Sequence, residues 1–301
     1  MTVAVRRIPG WTVPLVFIVG AVSQYVGAAI GVFLFETTEP ATVAWLRTFG
    51  ASVVLLVWRR PWRHRWTRRG ILAAAGFGLV TIGMNVAFYE AIARIPLGSA
   101  VAIEFVGPVA VATLGSRRAR DFLAVILVAA GVYLLASPQS DVEWAGVGFA
   151  LAAAGMWAGY IVLGKRVADA GGGLDSLAVG MAAASVVLAP VLLGLQCRTE
   201  PSVLTDPRTW LIGAGVGVLS SAIPYALDQP ILATIGRARF ALLLALLPAT
   251  AAVVGAVLLA QQPAAPETAG IAMVMLALVV GAKDAKETPA PIQRDRLGGC
   301  C

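Results

Sequence analysis

Few side chains in this sequence can do chemistry, and most of those stand inside long apolar runs. Arg47 and Glu104 are the clearest, an arginine and a carboxylate each about seven residues from one end of its run. At 1.5 Å per residue, both would lie about 10 Å deep in a helix. Asn85 stands at a similar level, and Gln24 near the middle of its own run. An ionisable group at the centre of a membrane helix costs about 2.5–3.5 kcal/mol, so its presence points to a use. A carboxylate suits an ammonium group, and an arginine suits a carboxylate. Arg47 and Glu104, with Asn85 or Gln24, could hold a zwitterion between them, or could pair with each other. Asp228 stands near an inner end beside Tyr225 and Gln229, as an interfacial cap or as a second titratable group. Trp157 and Tyr160 either wall a cavity or pack. Glu90, near an outer boundary, can reach lipid headgroups.

The elements that must position these groups are membrane helices. Of 301 residues, 59% are hydrophobic and 13% charged, against roughly a quarter charged in ordinary soluble domains. Runs of about 20 apolar residues, the length needed to cross a bilayer, fall at 12–35, 40–58, 71–93, 97–115, 121–137, 144–164, 174–196, 210–232, 240–260 and 268–283. The fold class is thus an all-α membrane protein of ten transmembrane helices. The first run lacks a small-residue cleavage site and continues past Phe35, so it reads as a mature helix.

The connections set the orientation. With both termini inside, all but four of the 23 basic residues fall in cytoplasmic segments. The exceptions are Arg47, within a span, and Arg94, Arg198 and Arg208 outside. Short-loop Lys and Arg bias orients membrane proteins. The cluster Arg59, Arg60, Arg63, Arg65, Arg68 and Arg69, with His64 among it, reads as a topology signal near anionic lipid and not as a nucleic-acid site. Cys197 faces outward while Cys300 and Cys301 face inward, so no disulfide joins them. No Gly-rich phosphate loop suggests an ATP-driven pump. No His or Cys cluster suggests a metal, and no cofactor or enzymatic activity is indicated.

The chain repeats itself. Gly50-Ala51-Ser52-Val53-Val54-Leu55 matches Ala183-Ala184-Ser185-Val186-Val187-Leu188, and later Ile95 matches Ile235, Pro108 matches Pro248 and Gly115 matches Gly255. The spacing changes where the loops 59–70 and 197–209 differ. Five helices per half is an odd number, so the second half would enter the membrane inverted. The expected units are a repeat over 1–137, a repeat over 144–283 and a cytoplasmic tail over 284–301. Inverted repeats are common in transporters, with the substrate near the midplane between halves. Pro108 removes the backbone donor that would meet the Glu104 carbonyl. Pro248 repeats the feature, but Leu244 replaces Glu104. Small residues at helical spacing, Gly20, Ser23, Gly27 and Gly31 in one span and Gly148, Ala152, Gly155 and Gly159 in another, predict close helix contacts.

The five-plus-five pattern resembles the EamA-type drug/metabolite transporter superfamily over nearly the whole chain. Residues Asn85 to Ile92, Ile95-Pro96-Leu97-Gly98 and Ala100 to Pro108 closely resemble the bacterial threonine/homoserine exporters. Ser116-Arg117-Arg118, Asp121-Phe122 and Trp157 to Ile161 extend that likeness. The resemblance implies export of small amino acids across the bacterial inner membrane, driven by the proton gradient. Gln24, Arg47, Asn85, Glu104, Trp157, Tyr160 and Tyr225 would then bind substrate, and Glu104 or Asp228 would couple protons. Export of another metabolite or drug remains open, as does a membrane enzyme or scaffold. The implied partners are a small-molecule substrate and the lipid bilayer, with the oligomeric state undetermined.

Overall fold

The computed structural model describes residues 8–63, 66–114, 118–136, 143–169 and 173–282. Arg6, Arg7, His64, Arg65, Gly115, Ser116, Arg117 and Asp141 lie outside them. So do Lys283 and the tail with Cys300 and Cys301, and the side chains of Gln229 and Arg237.

The chain runs through α1 (Val13–Phe33), α2 (Pro40–Arg59), α3 (Arg68–Ile92), α4 (Leu97–Glu104), α5 (Val106–Thr113) and α6 (Ala119–Leu135). It continues through α7 (Trp144–Asp169), α8 (Gly173–Thr199), α9 (Pro207–Gly217), a π-helical turn (Val218–Ala222), α10 (Ile223–Leu244), α11 (Leu247–Leu258) and α12 (Ala265–Ala282). No strand occurs among the described residues. Local chemistry explains several starts. Pro40 and Pro207 occupy first-turn positions, where a missing N–H costs nothing. The Thr67 hydroxyl and the Asp206 carboxylate accept from the backbone of Gly70 and Arg208, satisfying donors a helix leaves open.

Among the described residues, six helical segments are long and apolar enough to cross a membrane, and Leu97–Thr113, Leu242–Leu258 and Ala265–Gly281 are shorter apolar helices. Large apolar side chains are exposed on α1, α2, α3, α6, α8, α9 and α11, among them Leu15, Val57, Leu72, Phe122, Val186, Leu211 and Val257. Water would penalise so much exposed apolar surface; hydrocarbon does not.

One expected connection is missing. The sequence predicts a break over 233–239, yet α9, the π turn and α10 form one helical rod from 207 to 244. The matching point in the first half is Ile95-Pro96, where the chain leaves α3 and re-enters as α4. At Ile235-Gly236 there is no proline, so the backbone keeps its donor and the helix continues. The rod bends later, at Ala245–Leu246, before Pro248. The first half bends likewise at Phe105, between α4 and α5, before Pro108.

α2 and α8 lie antiparallel and are tied along their length. The Glu39 N–H donates to Gln196 Oε1 at 2.8 Å and Trp45 Nε1 donates to the Ser185 carbonyl at 2.8 Å. At the far end Arg59 Nε meets Asp175 Oδ1 at 2.7 Å. α3 packs on α7 and α8, α2 on α9, α1 on α10 and α11, α4 on α11, α5 on α7, and α6 on α12. Glycines set the closest crossings. A Cβ on Gly78 would meet the Gly180 carbonyl, and one on Gly217 would meet the Arg47 carbonyl.

The two small-residue stripes differ. In α1, Gly20 faces Leu227, the Ser23 hydroxyl donates to the Leu219 carbonyl at 2.9 Å, Gly27 meets Ser220, and Gly31 meets Tyr89. In α7, Gly148, Ala152 and Gly155 are exposed, and a Cβ on Gly148 or Gly155 would meet nothing. Those three face outward, and only Gly159 of the stripe, half-buried beside Val80 of α3, stands at a helix contact among the described residues. Periodicity places residues on one face without saying what the face meets.

Candidate functional site

A cavity of about 340 Å³ lies among the helices, at the lower end of the range typical of small-molecule sites. Its wall includes Gln24, Arg47, Asn85, Glu104, Trp157, Tyr160, Tyr225 and Asp228. The structure thus brings together residues from α1, α2, α3, α4, α7 and α10 that the sequence separates widely. Pro108 and Pro248 lie outside this wall, each just after a bend.

Glu104 reaches the cavity because α4 ends on it. Pro108 has no N–H for the Glu104 carbonyl, so the backbone is weakened where the carboxylate projects inward. Asp228 is placed differently from its reading as an interfacial cap. The rod continues to residue 244, so Asp228 stands mid-helix and lines the cavity. Glu90 is also tied down, its carboxylate meeting Arg94 Nη1 at 2.6 Å.

Arg47 is 7% exposed, and it does not pair with Glu104. Its Nε donates to the Ser221 hydroxyl at 3.1 Å and its Nη2 to the Ser220 carbonyl at 3.1 Å. Its guanidinium carbon lies 5.6 Å from the centre of the Tyr89 ring. The acceptors come from the π turn, which α1 holds in place: the Ser220 hydroxyl donates to the Gln24 carbonyl at 3.0 Å. Asn85 Nδ2 donates to the Thr48 hydroxyl at 3.3 Å, leaving its carbonyl unspent within the protein among the described residues.

The remaining wall is aromatic and aliphatic. Trp157 packs edge-on against Phe105 at 4.8 Å between centroids, and Tyr160 stacks on Phe77 at 4.7 Å. Tyr25, Met84, Phe88, Ser220, Phe240 and Leu247 also line the cavity, and the sequence reading passed over them. For Ser220 a signal existed: Pro224 stands four residues later, as Pro108 does after Glu104. Tyr25, Phe88 and Phe240 gave none, since an aromatic residue in an apolar run looks like packing.

A buried cavity bearing one arginine and two carboxylates, with aromatic walls, can hold a small solute carrying both charges. No group of His, Cys, Asp and Glu suited to a metal occurs among the described residues.

Comparison with known proteins shows the family. The EamA-like transporter family profile matches residues 144–281. The threonine/homoserine exporter RhtA of Salmonella typhimurium (strain SL1344) is 34% identical over 264 residues, covering 85% of this chain and 86% of that protein. The threonine/homoserine exporter RhtA of Escherichia coli (strain K12) is 33% identical over 263 residues, covering 86% and 87%. A solved crystal structure, 18% identical, covers 89% of this chain and 94% of its own with a TM-score of 0.58, and so shares the fold. With apolar spans, an outward-facing apolar surface and relatives matched nearly end to end, this multi-pass membrane protein belongs to the EamA-like transporter family.

Proposed function

We propose that the protein is a secondary transporter that exports small, threonine- or homoserine-like amino acids across the bacterial inner membrane by proton antiport. The observation that carries this reading is the cavity itself. Arg47 faces it with most of its donors unspent, and Glu104 and Asp228 face it as carboxylates. A zwitterion meets both needs at once, and one carboxylate beyond the single ammonium is left to take a proton. Two relatives named as threonine/homoserine exporters lend the substrate class.

The architecture proposed with it is ten spans in two inverted repeats, over 1–137 and 144–283, with both termini and the 284–301 tail cytoplasmic. Three features support it. Packing pairs recur when the halves are exchanged: α2 on α9 answers α8 on α3, and α1 on α11 answers α7 on α4 and α5. Both bends stand just before a proline. The family profile spans 144–281, nearly the second unit alone. Inverted repeats give alternating access by rocking about a central site.

The test is counterflow in proteoliposomes loaded with a panel of amino acids, followed by uptake under an imposed pH gradient. Accelerated exchange of threonine or homoserine, and its concentration by the gradient, are expected. A preparation that moves lipophilic cations but no amino acid would shift the reading to a drug exporter.

A further inference from the structure

Arg47 pairs with no carboxylate among the described residues, which is unusual for an arginine 7% exposed. A guanidinium has five N–H donors. One goes to the Ser221 hydroxyl and one to the Ser220 carbonyl. Apart from the Tyr89 side chain beside it, the guanidinium has no further protein partner among the described residues, and a buried charged group short of partners is costly. Glu104 and Asp228 share its cavity, but neither forms an ion pair with it.

What fixes the guanidinium is a backbone device. In an α-helix the Ser220 carbonyl would accept from residue 224, and residue 224 is a proline, which has no N–H. The chain there forms a π turn, in which the Ile223 N–H reaches back five residues to the Val218 carbonyl. Such turns are rare and recur at functional sites. Here the turn points one carbonyl and one hydroxyl at Arg47 from α2, while the Tyr89 ring lies 5.6 Å from its guanidinium carbon. The Ser220 hydroxyl ties the turn to Gln24 of α1. An arginine held this way has little freedom left, and its unspent edge has the geometry that takes a carboxylate through two parallel hydrogen bonds.

Resting on the exporter reading above, we infer that Pro224, Ser220 and Ser221 form a cradle that aims Arg47, and that a free carboxylate is therefore what the site requires of its substrate. Ser221 and Pro224 are positioning residues; Arg47 makes the contact. Lysine could not replace it, having no fork to bridge the turn and the ligand together.

The experiment is competition against labelled threonine counterflow in proteoliposomes, using unlabelled threonine and threoninamide, which lacks the anionic charge. The parent should prefer threonine by about a hundredfold or more, because a site built for a group rejects the analogue lacking it. Ser221→Ala and Pro224→Ala should each raise the KM for threonine about tenfold, the effect of one hydrogen bond to a charged group. The preference over threoninamide should shrink in proportion, with the maximal rate held within about twofold. Pro224→Ala leaves the side chains of Arg47, Ser220 and Ser221 in place and changes only the backbone donor, so it reads the turn separately from the hydroxyl. Ser221→Thr should restore the preference. A merely structural role would weaken threonine and threoninamide alike. A parent that accepts threoninamide as well as threonine overturns the inference, as does an unchanged preference in both variants.

Thermal unfolding of the detergent-purified protein separates this from the exporter reading. Stabilisation by threonine and by lactate, but not by threoninamide or chloride, and its loss in Ser221→Ala, supports the cradle even if the parent transports no amino acid. Stabilisation by chloride equal to that by lactate, or by none of the four, overturns it.

Discussion

Arg47 and Glu104 face one cavity from α2 and α4, and Arg47 is bound not to that carboxylate but to Ser221 and the Ser220 carbonyl. The two charges therefore differ in what their removal does to the fold. Arg47→Ala strands a buried hydroxyl and a buried carbonyl, which costs about 1–3 kcal/mol. Glu104→Gln breaks no hydrogen bond or ion pair among the described residues. Thermal unfolding in detergent should show Arg47→Ala clearly lowered and Glu104→Gln at or above the parent. Equal losses in the two variants would mean that the charges lean on each other after all.

Glu104 also carries the coupling prediction. Its backbone sits where α4 ends, and its counterpart just before the second bend is Leu244, also in the cavity wall but unable to titrate. Glu104→Gln keeps the shape and hydrogen-bonding capacity without a titratable proton. Export driven by an imposed pH gradient in vesicles should be abolished, while exchange between equal pools continues. If the variant still concentrates substrate, the coupling group is elsewhere, and Asp228→Asn is the next variant to measure.

The glycine crossings predict a sharp contrast in stability. A methyl at Gly78 would occupy the place of the Gly180 carbonyl, and backbone on both sides leaves no flexible group to yield. Gly78→Ala should cost about 1–3 kcal/mol or prevent folding outright. Gly148→Ala, with open space around it, should match the parent or gain slightly from helix propensity. Yield and unfolding temperature of the two variants decide the matter.

Much of this was legible in the sequence, for identifiable reasons. Apolar runs near 20 residues gave α1, α2, α3, α7 and α8 because bilayer thickness leaves little choice of length. The charged and polar cavity residues stood out because each is costly in hydrocarbon. Asp228 was misplaced through one wrong end: with the eighth span stopped at 232, it fell at an interface. The continuous rod puts it inside. Which partner Arg47 would take was not legible, since the depths of Arg47 and Glu104 agree and only the π turn shows a competing set of acceptors. Three of the four small residues of the α7 stripe face outward, because spacing carries no information about neighbours.

Topology is checked by labelling. Thr67 and Ser202 are both exposed in connections between helices, and the charge bias puts them on opposite sides. Cysteine introduced by Thr67→Cys should react with an impermeant maleimide only in inside-out vesicles, and Ser202→Cys only in intact cells. The native Cys197 is also exposed, so Cys197→Ser belongs in the background. Labelling of Thr67→Cys in intact cells would reverse the orientation.

The contact of Gly78 with the Gly180 carbonyl occurs a second time, as Gly217 against the Arg47 carbonyl. The glycines belong to matching stretches, Gly-Phe-Gly at 76–78 and Gly-Val-Gly at 215–217. At one crossing the partner is glycine, and a Cβ on Gly180 would strike the Ala74 carbonyl. At the other the partner carries a full arginine side chain. A close glycine crossing constrains only the glycine: where the partner is also glycine the joint serves only to hold, and where the partner is Arg47 the same joint also places a charge. Arg47, the positive charge in the cavity wall, stands at the second of these crossings. At the first, any charged side chain in place of Gly180 would drive its Cβ into the Ala74 carbonyl, so that crossing has no room for a charge.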